Sequence, residues 1–220
     1  MLPTRGGAAR NARRRKAREV AERPTVNFCF DYASPWTYIA DCRIEEALAG
    51  LPVDIRYVPV YLRGFEMFRS GMPYTSAKLA YIVRDMQRCA SFYGIPLHPP
   101  RNFPINGLHL LRSTVALEAR PQAVAYRKAA YRATWVDDRN VSDPAVAIEI
   151  GVELGLPREE LSAAVASQPV KDALKENTER AIAGGAFGIP TFFVGEEMFW
   201  GQDRLDFVRR ELERVLRESP

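Results

Sequence analysis

The chain has 220 residues, 31 basic and 27 acidic side chains, a net charge of +4 and 47% hydrophobic residues, which suits one domain with an insertion or two small domains around a real core. Residues 1–23 hold eight basic and two acidic residues, leaving 23 basic against 25 acidic in the rest, so the near-neutral body argues against nucleic acid as a partner. The three cysteines, Cys29, Cys42 and Cys89, form no C-x-x-C pair, which excludes a dithiol redox motif and a cysteine zinc pair, and no apolar run is long enough to span a bilayer.

In chain order, residues 1–23 are too basic and too poor in large apolar side chains to fold alone. A disordered extension is expected there, at best a frayed helix over 8–22, without the apolar segment of a secretory signal. The cysteines read as buried structural thiols of a reducing, cytoplasmic compartment. The apolar run Val26 to Phe30 predicts a strand that breaks at Asp31-Tyr32-Ala33. Ser34-Pro35 then opens a helix over Trp36 to Leu48, with Ser34 as N-cap and Pro35 at the first helical position. Gly50 and Pro52 stop it, and Val53 to Val60 alternates as a second strand, completing a parallel βαβ unit.

From Tyr61 to about Gln168 the strand signal disappears. Helices are predicted from Thr75 or Ser76 to Gly94, Gly107 to Ala119, Pro121 to Ala133, Asp143 to about Gly155, and Glu159 to Ala166. Pro169 starts another, through Ala183. Thr191 to Val194 and Met198 to Trp200 then form a hairpin across Gly195-Glu196-Glu197. A last amphipathic helix covers Arg204 to Arg217, with Leu205, Val208, Leu212 and Val215 facing in and Asp203 as its cap. The order βαβ, helices, αββα predicts an α/β, thioredoxin-like fold with an all-helical insertion. Residues 24–60 and 168–218 form its main body, and 61–167 the insertion.

In such a fold the loop before the first long helix meets the loop before the hairpin. The second loop is Phe187-Gly188-Ile189-Pro190-Thr191, where a cis X-Pro bond would turn the Ile189 backbone outward beside Ser34, free to pair with an extended peptide-like ligand. The third piece is Trp200-Gly201-Gln202-Asp203-Arg204. Its backbone N–H groups and Arg204 suit a carboxylate and Asp203 an ammonium, as at a zwitterionic amino-acid end. His98 and His109 read as edge or surface histidines, the aromatic residues of the insertion as core, and no Cys/His cluster suggests a metal.

Phe30 to Ala40, Phe187 to Thr191 and Phe199 to Leu205 together resemble the 2-hydroxychromene-2-carboxylate isomerases, relatives of the kappa-class glutathione transferases on a DsbA-like thioredoxin fold, over about residues 26–217. The resemblance implies glutathione dependence, a small aromatic substrate and a homodimer. Ser34 would replace the attacking cysteine of the redox relatives, as a donor to the glutathione thiolate. Ile189 and Pro190 would hold the cysteinyl backbone, Asp203 and Arg204 the γ-glutamyl end, and Gln202 would also belong to the glutathione site. Tyr32, Trp36, Lys78 and Tyr81 would face the substrate. The chain departs from the pattern at Arg69 to Tyr74, which lacks the family's Asn. The implied activity is isomerisation of an aromatic-degradation intermediate by reversible thiolate addition. A kappa-like transferase or peroxidase and a non-catalytic module binding glutathione or a peptide are the alternatives.

Overall fold

The computed structural model describes residues 23–218. The extension expected over residues 1–23 lies, apart from Arg23, outside them. Strand β1 (Thr25–Phe30), helix α1 (Pro35–Ala47) and strand β2 (Asp54–Pro59) open the chain. Six helices follow: α2 (Ser76–Phe92), α3 (Leu108–Ala116), α4 (Ala123–Trp135), α5 (Pro144–Glu153), α6 (Arg158–Ala166) and α7 (Gln168–Ala183). The hairpin β3 (Thr191–Val194) and β4 (Glu197–Trp200) and the helix α8 (Leu205–Glu218) complete it. The strands form one sheet in the order β2-β1-β3-β4. Here β1 is parallel to β2 and antiparallel to β3, and β3 is antiparallel to β4. This is the α/β thioredoxin-like fold with a helical insertion.

Position in the sheet explains the sequence patterns. Central β1 is covered on both faces and therefore reads as an almost continuous apolar run, whereas β2 at an edge alternates. Two 3₁₀ turns, Leu62–Gly64 and Glu66–Phe68, are too short for periodicity to reveal. Thr75 caps α2 by accepting from the Lys78 N–H at 3.3 Å, and Asp143 caps α5 through the Ala145 N–H at 2.9 Å.

One core runs from the sheet into the insertion. Phe28, Phe30 and Tyr32 pack with Tyr131 and Trp135 of α4, Leu110 and Leu111 of α3, and Leu205, Val208 and Leu212 of α8. The insertion aromatics are thus core: Tyr126, Tyr131 and Trp135 are fully buried, and the Trp135 indole donates to the Tyr32 carbonyl at 2.9 Å. Arg127 of α4 reaches between Asp41 of α1, 2.7 Å from its Nε, and the face of Tyr57 on β2, 3.3 Å from the ring centre. The ion contact is close but without hydrogen-bond alignment on either atom. Removing one partner of a buried pair leaves the other charge uncompensated, at a cost of about 3–5 kcal/mol. Of the three thiols, Cys29 is buried and Cys89 half-buried, but Cys42 is exposed on α1, so the reading of all three as buried is corrected.

Candidate active site

The register of β1 and β3 assembles the site. Cys29 pairs with Thr191, so the end of β1 and the approach to β3 leave the sheet side by side. The first carries the chain to Ser34; the second is Ile189-Pro190, whose peptide bond is cis. The Ile189 N–H and C=O have no hydrogen-bond partner among the described residues. The third segment joins through Gly201, whose N–H donates to the Pro190 carbonyl at 3.0 Å. Gly201 has φ 114°, a conformation closed to most L-residues, and this turns the chain from β4 into the 3₁₀ turn Gln202–Arg204.

Ser34 occupies the N-cap position of α1, extended at φ −105°, but its hydroxyl makes no capping bond, which corrects the expectation from the Ser-Pro pair. Its carbonyl instead accepts from the N–H groups of Thr37 and Tyr38. The Thr37 hydroxyl is committed to backbone, with Oγ1 2.6 Å from the Asp31 carbonyl and 2.7 Å from that of Ser34. The largely buried Ser34 hydroxyl is therefore uncommitted at the positive end of a helix.

Asp31 stood unassigned in the serine motif, yet it organises the turn. Its Oδ1 accepts from the Ala33 N–H at 2.9 Å and its Oδ2 from the Leu62 N–H at 2.8 Å, tying the serine turn to the segment after β2. Burial pushes its carboxyl up to about 6, against the lowering effect of both N–H donors and of Arg63. Gly107, just before α3, closes over it: a Cβ there would lie 2.6 Å from Oδ1. An open pocket beside this turn is lined by Asp31, Ala33, Arg63, Phe68, Phe103 and Asn106, among others. The Phe103-Pro104 bond on its rim is also cis. The rim was legible only as a proline-rich loop, because its partners are far away in sequence.

The remaining predicted residues divide. Asp203 and Arg204 are exposed and paired with each other at 2.6 Å, so Asp203 does not cap the last helix as predicted. The Gln202 side chain turns inward, its Oε1 2.9 Å from Arg43 Nη1 and its amide nitrogen 3.8 Å from the Cys89 sulfur. That side chain is thus engaged within the protein and supports the turn. Tyr32 is fully buried with its hydroxyl 2.7 Å from Thr114 Oγ1, which corrects its assignment to the substrate side. Trp36 packs on the core and does not line the pocket. Lys78 lies over the Tyr74 ring and Tyr81 is exposed on α2; neither lines the pocket.

Known proteins are similar to this chain in sequence and fold. A family model described as a DSBA-like thioredoxin domain matches residues 25–213. A 2-hydroxychromene-2-carboxylate isomerase from Pseudomonas sp. strain C18 is 30% identical over 184 residues, 82% of this chain and 86% of the relative. Glutathione S-transferase kappa 1 of Caenorhabditis elegans is 27% identical over 84% of this chain and 89% of its own. A solved structure of a 2-hydroxychromene-2-carboxylate isomerase superposes with a TM-score of 0.77 at 29% identity, over 88% of this chain and 97% of that one. The chain belongs to the DSBA-like thioredoxin family, and within it to the 2-hydroxychromene-2-carboxylate isomerase family, enzymes akin to the kappa-class glutathione transferases.

Proposed function

We propose that the protein is a glutathione-dependent isomerase of an aromatic-degradation intermediate of the 2-hydroxychromene-2-carboxylate type. The observation that carries this reading is the uncommitted Ser34 hydroxyl at the N-terminus of α1, on a loop that leaves the sheet alongside the one holding the unpaired backbone of Ile189. The residues present fit glutathione. The Ile189 N–H and C=O suit a cysteinyl backbone. Asp203 and Arg204, which neutralise each other across their ion pair, match the ammonium and carboxylate of a γ-glutamyl end. Bound glutathione supplies a thiolate able to add reversibly to an activated double bond, allowing rotation about it without net redox change.

The task of Ser34 is electrostatic. A free thiol with pKa near 8.5 is only about 3% ionised at pH 7, and lowering it by about two units takes about 2.7 kcal/mol. A hydroxyl donating to a charged sulfur contributes about 1.5–3 kcal/mol, and a partly buried helix N-terminus up to about 2. Both come from Ser34 and the helix it begins. Ser34 is a donor here, not a nucleophile, and Thr37, spent on two carbonyls, takes no part. The pocket at Ala33 would receive the aromatic substrate, and a homodimer belongs to the same proposal.

Ser34→Ala is expected to raise the pKa of enzyme-bound glutathione by about one unit or more. Thiolate ultraviolet absorbance against pH measures it, and an unchanged titration removes Ser34 from the mechanism. Turnover of 2-hydroxychromene-2-carboxylate without loss of glutathione supports the isomerase. The kappa-class relative favours a second reading, a transferase, which stable glutathione conjugates would select. If calorimetry finds no glutathione binding to the wild type, both enzymatic readings fail and a peptide-binding module is left.

A further inference from the structure

Arg43, which no sequence motif singles out, stands at the junction of three segments. It lies in the third turn of α1, half-buried, with its guanidinium carbon 3.6 Å from the ring centre of Tyr93 at the C-terminal end of α2. From that position its Nη1 donates to the Gln202 carbonyl at 3.0 Å and to the Gln202 side-chain Oε1 at 2.9 Å. Gln202 is buried, and its amide nitrogen contacts Cys89, also on α2. Asp203 and Arg204 follow directly, exposed and on the same 3₁₀ turn. Apart from these contacts and the tie of Gly201 to Pro190, the Arg204 N–H bond to the Gly201 carbonyl is the turn's own backbone bond.

We infer that Arg43 is a positioning residue for the γ-glutamyl end of glutathione, acting through Gln202. This role rests on the cofactor reading above and adds to it a residue that does not touch the ligand. A 3₁₀ turn of three residues has little intrinsic persistence, because its hydrogen bonds are poorly aligned. Presenting one carboxylate and one guanidinium to a zwitterion requires their backbone to be held before the ligand arrives, or binding must bear the ordering entropy. A guanidinium suits this work because the two N–H groups of Nη1 address two acceptors on one residue while its planar face stacks on an aromatic ring. Tyr93 restricts the guanidinium, the guanidinium restricts Gln202, and Gln202 restricts the two residues after it. The insertion, through α2, thus takes part in cofactor recognition although Lys78 and Tyr81, its predicted site residues, do not reach the pocket.

The test compares wild type, Arg43→Met and Arg43→Lys for binding of glutathione and of cysteinylglycine, which lacks the γ-glutamyl group. Melting temperatures identify any variant that fails to fold, and Tyr93→Leu serves as a second probe of the same bracket. Arg43→Met is expected to weaken glutathione about tenfold and leave cysteinylglycine unchanged, with KM for glutathione rising while kcat holds. Arg43→Lys is expected to lose most of the same affinity, because an ammonium keeps the charge but not the planar face that stacks on Tyr93. On an Arg204→Ala background the effect of Arg43→Met should shrink, leaving only the part that acts through Asp203. Amide exchange at Gly201 and Arg204 should quicken in Arg43→Met without ligand. Equal losses for both thiols, full affinity in Arg43→Met, or unchanged exchange would overturn the inference. Wild-type protein that binds no glutathione overturns the cofactor reading itself, and this role with it.

Discussion

Individual residues in the site act mainly by holding backbone. Asp31 has one oxygen on Ala33 and the other on Leu62, and so sets the serine turn against the pocket wall. Its carboxyl, pushed up to about 6 by burial, stands above the usual value of a carboxylate in an unfolded chain. The folded state therefore binds this proton more tightly, and stability from this group is full below about pH 4 and lost as pH rises through about 6. We expect the stability difference between wild type and Asp31→Asn to move in favour of wild type, by about 2–3 kcal/mol, as pH falls from 7 to 4. Asp41, also pushed up to about 6, is common to both proteins and cancels. Urea unfolding across that pH series measures the difference, and a flat line would mean that Asp31 titrates as an ordinary carboxylate. Asp31 was visible in the sequence as a charge at a strand end; its two N–H partners were not, since Leu62 comes from beyond another strand.

At the scale of elements, local patterns carried most of the assignment. The stripe Leu205, Val208 and Leu212 on α8 repeats at helical spacing and is almost wholly buried, so the last helix was legible from its own residues. Asp143-Pro144 likewise announced the start of α5. The two features differ in worth. Leu212→Ala removes a fully buried side chain and should cost about 2–5 kcal/mol, whereas Asp143→Ala removes one exposed cap bond and should cost about 1 kcal/mol. Unfolding midpoints at constant slope give both numbers, and equal costs would contradict the burial of α8. The same reading placed caps at Ser34 and Asp203 that are not made. At Ser34 the backbone takes the cap position while Thr37 bonds the nearby carbonyls. At Asp203 a 3₁₀ turn intervenes and Arg204 takes the carboxylate.

For the molecule as a whole, the insertion and the sheet share one core, and Arg127 links α4 to both α1 and β2. An insertion with its own core would melt apart from the sheet. With Trp135 bonded to Tyr32 and packed in the common cluster, we expect a single transition in which tryptophan fluorescence and far-ultraviolet circular dichroism coincide. Two separated transitions would show that residues 61–167 fold as their own unit. No helix among the described residues is long and apolar enough to cross a membrane.

The sequence by itself determined the element order, the helical character of the insertion, and the three short motifs that meet at the candidate site, because periodicity, proline and glycine act over a few residues. Only the tertiary structure decided which side chains in those motifs are free. Burial removed Tyr32 from the substrate side, Arg43 drew Gln202 inward, and Thr37 spent its hydroxyl on backbone while that of Ser34 stayed available. Each outcome depends on partners 3 to 159 residues away, within hydrogen-bonding range only once the chain has folded.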